Sequence, residues 1–161
     1  MAKNEIEVKR AESIFDELDR LHQAVSQRAY DLFRDGNWGG ALADWLSAER
    51  HLITKPSIEL SEKDGQFAVM AALPGVDAKD LDVRITPTDL LIKGETTHEK
   101  KTDKGTVHVS EFSGAHVFRS IHFPKPIDPD TAQAECKDGI LRLTATIAKI
   151  ASAKKVEIKA A

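Results

Sequence analysis

At Lys55-Pro56 the spacing of apolar side chains changes from three and four residues to two, which limits the chain to a helical segment followed by an all-β one. Upstream, Ile14, Leu18, Leu21, Val25, Ala29 and Leu32 recur at helical steps across residues 11–35, with Glu, Asp, Arg and Gln on the other faces, which predicts an amphipathic helix. Gly36 and the Gly39-Gly40 pair interrupt it. Leu42, Trp45, Leu46 and Glu49 then resume a helical stripe to about His51, so a helical hairpin is expected. The residue before a proline is pushed out of the helical basin, and this places the boundary at Lys55-Pro56.

Beyond that boundary short runs of period two lie at 58–61, 66–73, 81–86, 90–94, 116–123, 131–136 and 140–147. Asp64-Gly65, Pro74-Gly75, Pro87, Pro124, Pro126 and Pro129 fall between runs and not inside them. Short strands at such spacing predict a β-sandwich. Residues 134–147 are the most explicit: a strand, a tight Asp138-Gly139 turn, and a second strand whose Leu141, Leu143, Ala145 and Ile147 share one face. Between 94 and 116 lies a polar stretch, 95–105, that gives way to a β-like segment, 106–111. A connection of that length is expected to be functional or mobile.

Composition excludes several classes of function. Lys and Arg number 23 against 26 Asp and Glu, a net charge of -3, and the like charges form no long run, so neither a nucleic-acid groove nor an acidic tail is indicated. The first ten residues, MAKNEIEVKR, hold no apolar signal core, and Cys136 is the single cysteine, so no intramolecular disulfide is possible and a cytoplasmic location is expected. No apolar stretch approaches the roughly 18 residues that would cross a bilayer, so no membrane span is expected. Cys136 reads as a small hydrophobe in a strand. His116 and His122 share strand parity, with His98 and His108 nearby, but no close His-x-x-x-His spacing or second cysteine supports a metal site. Ser, His and Asp residues are scattered, and no phosphate-cradling glycine loop is present, so no enzyme and no cofactor are expected.

The sequence resembles the small heat-shock proteins with an α-crystallin domain, over about residues 57–158. The resemblance rests on Ala71-Ala72-Leu73-Pro74-Gly75-Val76 with Asp80-Leu81-Asp82-Val83, on Leu91-Ile92-Lys93-Gly94-Glu95, on Val117-Phe118-Arg119-Ser120-Ile121-His122-Phe123-Pro124, on residues 134–141, and on the tail Val156-Glu157-Ile158. It departs from the family in having Ala115 after Gly114, where the glycine usually stands one place later, and Thr146 where the last strand commonly meets a proline. Residues 22–52 resemble a short, uncharacterised helical domain of bacterial proteins, which implies a bacterial source and a more ordered arm than is usual. The implied architecture is an all-β immunoglobulin-like sandwich, 56–148, preceded by an α-helical N-terminal arm, 1–55, and followed by a flexible tail, 149–161.

The resemblance implies an ATP-independent holdase that binds non-native client proteins and prevents their aggregation, working as homodimers assembled into larger homo-oligomers. Val156 and Ile158, two residues apart, would point the same way in an extended tail and enter a groove on a neighbouring sandwich. By family analogy the groove lies between two strands and is lined by Leu81, Val83 and Ile85 and by Ala132, Ala134 and Cys136. Burying two such side chains contributes roughly 3 to 6 kcal/mol gross, much of it offset by ordering the tail, so many contacts must act together. The implied dimer forms by strand exchange: residues 106–111, carrying Val107, Val109 and Glu111, pair with the partner's edge strand at Ile58 and Leu60. Arg119, on the face of Val117 and Ile121, would need a carboxylate if buried, and Glu111 is its candidate. Ile14, Leu18, Leu21, Val25, Leu32 and Trp45 form a candidate client or assembly surface. The rival reading is a non-chaperone adaptor that docks one partner through the helical arm.

Overall fold

The computed structural model describes residues 5–36, 40–96, 106, 108 and 116–149. Strands β4 (Ile58–Lys63), β5 (Gln66–Ala72), β6 (Leu81–Ile85), β7 (Asp89–Glu95), β8 (His116–His122), β9 (Gln133–Lys137) and β10 (Ile140–Thr146) occupy the period-two runs. Two further strands precede the helices, β1 (Glu5–Ile6) and β2 (Val8–Arg10), and a third follows them, β3 (Ile53–Thr54). Together they form two five-stranded sheets, ordered β1-β9-β10-β5-β4 and β2-β6-β7-β8-β3.

Alternation builds the core. Phe67, Val69 and Ala71 of β5 and Leu141, Leu143 and Ala145 of β10 point inward from one sheet, and Val83, Ile85, Leu90, Ile92, Val117 and Ile121 answer from the other. Phe67 stacks on Phe123 with ring centroids 5.5 Å apart. The β9–β10 turn is Asp138-Gly139, with φ of 53° and 73°. Positive φ at both central residues gives a two-residue turn whose twist matches the flanking strands, and it sets Ile140 opposite Lys137 and Leu141 opposite Cys136.

The arm is a hairpin of α1 (Phe15–Arg34) and α2 (Ala41–Leu52). Val25 and Ala48 are buried, and the His22 and Trp45 rings meet at 5.2 Å between centroids. One expectation needs correction. The first helix starts at Phe15 and not at residue 11, because the chain is still bound to the sheet there: Ala11 N–H donates to the Ile85 carbonyl at 2.8 Å, one step beyond β2. The helical arm precedes the sandwich as expected, and residues 5–10, ahead of its helices, add β1 and β2 to the two sheets.

Candidate assembly groove

Strands β6 and β9 would each be the edge of its sheet without β1 and β2, and an edge leaves backbone donors and acceptors that need cover. The N-terminal segment supplies that cover on both sides. β1 pairs antiparallel with β9, placing Glu5 opposite Glu135 and Ile6 opposite Ala134. One residue later the chain has crossed to the other sheet, where β2 runs parallel to β6 with Val8 opposite Val83, Lys9 opposite Arg84 and Arg10 opposite Ile85. Ile6 is 7% exposed and joins the core cluster, Val8 packs against it, and Glu7 between them faces solvent. An ion pair of Lys9 with Asp82 at 3.4 Å and hydrogen bonds from Arg10 to Asp130 at 3.1 and 3.2 Å hold the segment's end.

All six residues expected to line the groove lie in or against this one apolar cluster. Val83, Ile85, Ala134 and Cys136 are buried within it, and Leu81 and Ala132 pack against it. Burial pushes the Cys136 thiol up from its ordinary value, which keeps it protonated and leaves it a packing residue. An open cleft of about 720 Å³ remains beside the segment, where Gln133, Glu135, Arg142 and Thr144 face Glu5 and Glu7. Sequence reasoning missed Ile6 and Val8. The available signal was their pattern: Ile6-Glu7-Val8-Lys9 repeats the apolar, acid, apolar, lysine order of Val156-Glu157-Ile158-Lys159.

Helix α1 is fastened to the outer face of the same sheet. Glu17, 8% exposed, accepts hydrogen bonds from Arg84 Nη1 and Lys93 Nζ, each at 2.8 Å, and from Arg20 at 3.3 Å. Asp82 in turn accepts from Arg84 Nη2 at 2.9 Å and Nε at 3.1 Å. The Lys93 hydrogen bond, outweighing burial, together with the positive charges of Lys93, Arg84 and Arg20, holds the Glu17 carboxyl below its usual value. Burial pushes the Asp82 carboxyl up, but the hydrogen bonds and charges of Arg84 and Lys9 prevail and hold it low.

The dimer candidates divide between described and other residues. Ile58 and Leu60 lie on β4, the outermost strand of its sheet among the described residues, and both pack half-buried against the core. Arg119 sits opposite Ile92 on the core-facing side of β8, and its Nε is buried without a hydrogen-bond partner. Val107, Val109, Glu111, Val156 and Ile158 lie outside the described residues.

The helical stripe expected as a client or assembly surface is turned largely inward in the single chain. Ile14 and Val25 are buried, and Leu18, Leu21, Leu32 and Trp45 are half-buried, because this face packs within the arm and towards the sheet. The apolar side chains that face solvent are others: Phe15, Tyr30, Phe33, Leu42 and Leu46, between 46% and 72% exposed. Among the described residues no group of three or more His, Cys, Asp and Glu is placed to hold a metal ion, and no helix is long and apolar enough to cross a membrane.

Residues 59–159 match the model of the Hsp20/alpha crystallin family. The chain belongs to this family. It is 31% identical over 113 residues to small heat shock protein C2 of Rickettsia felis, covering 70% of this chain and 72% of the relative. It is 30% identical over 111 residues to a probable 15 kDa heat shock protein of Leptospira interrogans, covering 69% and 83%. Among solved structures, heat shock protein 16.0 from Schizosaccharomyces pombe superposes with a TM-score of 0.55 at 31% identity, covering 66% of this chain and 99% of that one. A small heat-shock protein from Xylella fastidiosa, at 24% identity, shares the fold with a TM-score of 0.52 over 65% and 96%. Small heat-shock proteins are ATP-independent chaperones and not enzymes, and the family places this chain among them.

Proposed function

We propose that this small heat-shock protein is a holdase: it binds partly unfolded proteins, prevents their aggregation without ATP, and works as dimers gathered into larger oligomers in the cytoplasm. The observation that carries the reading is the groove between β6 and β9. An apolar pair spaced two residues apart fits it, with Ile6 opposite Ala134 and Val8 opposite Val83. Val156 and Ile158 have the same spacing, so the tail of one subunit can occupy the groove of another and link dimers. The chain then divides into an arm (1–55), an α-crystallin domain (56–148) and a linking tail (149–161).

The dimer itself forms on β4. Its outer edge is available to residues 106–111 of a partner, and Glu111 arriving there would give Arg119 the carboxylate that its buried Nε lacks. Binding without ATP draws only on contact free energy, so a holdase needs apolar surface that clients can reach. Tyr30, Phe33, Leu42 and Leu46 on the helical hairpin supply it, and Tyr30 and Phe33 line, with Trp45, an apolar cleft of about 410 Å³. The test is light scattering of a heated model client with the purified protein and no ATP. Suppression at near-stoichiometric chaperone is expected, and undiminished scattering at excess would favour a single-partner adaptor.

A further inference from the structure

The groove assigned to the tail is already filled by the chain's own N-terminal segment, and the two occupants share a chemical pattern. Each is a branched aliphatic, a glutamate, a branched aliphatic and a lysine: Ile6-Glu7-Val8-Lys9 and Val156-Glu157-Ile158-Lys159. The apolar pair goes inward and the glutamate outward, as Ile6, Val8 and Glu7 demonstrate. The lysine that follows meets Asp82 on β6 in the N-terminal case, and Lys159 stands at the equivalent place in the tail.

We infer that residues 5–10 are a tethered competitor of the tail: each subunit's groove is either closed by its own Ile6 and Val8 or open to Val156 and Ile158 of another copy. This inference rests on the tail-docking reading above and adds to it a control over when docking occurs. Steric exclusion follows from the register. Ile6 takes the place opposite Ala134 and Val8 that opposite Val83, so both strands flanking the groove are already paired. A tethered segment also competes at an effective concentration in the millimolar range, which one free tail does not match. Tails prevail when several dock at once, or when the N-terminal segment is drawn away.

The segment is suited to leaving. It pairs with β9 through two residues and with β6 through three, and the Lys9, Arg10 and Asp130 side chains of its ion pairs are more than half accessible, with Asp82 about a quarter so. Short edge pairings of this kind open locally at far lower cost than the sandwich unfolds. The groove beneath it, by contrast, belongs to the core cluster and persists when the segment departs.

The test measures binding of a fluorescent peptide of residues 152–160 to the full chain carrying V156A and I158A, so that no resident tail competes. Ile6→Ala with Val8→Ala on this background should bind the peptide at least about tenfold more tightly, since apparent affinity falls in proportion to the fraction of open grooves. A second variant does not depend on weakening the segment. Glu5→Cys with Glu135→Cys, in a Cys136→Ala background, joins residues that face each other across β1 and β9, a separation that suits a disulfide. Peptide binding should be lost in the oxidised protein and return on reduction. Equal affinity in locked and reduced forms, or with and without Ile6 and Val8, would overturn the competition and leave tail docking standing. No binding even in the reduced chain lacking Ile6 and Val8 would overturn both.

Discussion

Replacing Glu17 by Gln should release helix α1 from the sandwich without unfolding the sandwich. Glu17 keeps its shape in this change but loses the charge that Arg84 and Lys93 approach at 2.8 Å. A charge-assisted hydrogen bond contributes about 1.5 to 3 kcal/mol when buried, and an exposed ion pair about 0 to 1. The Glu17 side chain is 10% exposed, but those of Arg84 and Lys93 are 32% and 27% exposed, so screening moves the sum towards the lower range. The expected loss is about 2 kcal/mol for the docked helix, roughly thirtyfold in the docking equilibrium. Hydrogen exchange with mass detection reads it directly: amides of residues 15–34 should lose protection, while those of β5, β7 and β10 keep theirs, because Glu17 lies outside the apolar cluster. Acid should reproduce the effect in the native chain. The Glu17 carboxyl is depressed in the folded state, so its contribution is present in full above its ordinary value near 4.5 and is lost as pH falls through the depressed value. Wild-type protection of α1 in the variant, or loss of protection throughout the sandwich, would refute the claim that this cluster fastens the helix.

Other consequences follow from the core and the edges. Leu143→Ala opens a cavity at a side chain that is 1% exposed, and should lower stability by about 3 kcal/mol, visible as a lower urea midpoint with an unchanged slope. Gly139→Ala places a side chain at φ 73° in the β9–β10 turn and should cost about 1 to 2 kcal/mol in the same assay. A result within error of wild type would show that the turn relaxes. Deleting residues 106–111 should give monomers or misassembled protein by native mass measurement, and a normal dimer would refute strand exchange onto β4.

The parts of this fold that were legible in the sequence are those whose local chemistry and tertiary setting agree. Leu141, Leu143 and Ala145 alternate inward beside an Asp-Gly turn, and β10 forms where that pattern lies. The N-terminal strands were not legible because two- and three-residue strands carry no period to read. Glu5–Ile6 and Val8–Arg10 become strands only because β9 and β6 offer unpaired edges. Recognising them required comparing the beginning of the chain with its own end. The helical stripe was legible as a helix but not as a surface. Periodicity identifies a face that must pack, and here Ile14 and Val25 pack inside the chain while Phe33, off the first stripe, and Leu42, on the second, remain in solvent. The buried Glu17 was missed for a related reason: its partners Arg84 and Lys93 are distant in sequence, and only the fold brings them to it.

The central claim is that the groove between β6 and β9 receives Val156 and Ile158 of another subunit and so links dimers into the working chaperone. Light scattering of the full-length V156A/I158A protein tests it most directly. The account predicts a shift from large assemblies to dimers, and an assembly of unchanged mass would contradict it.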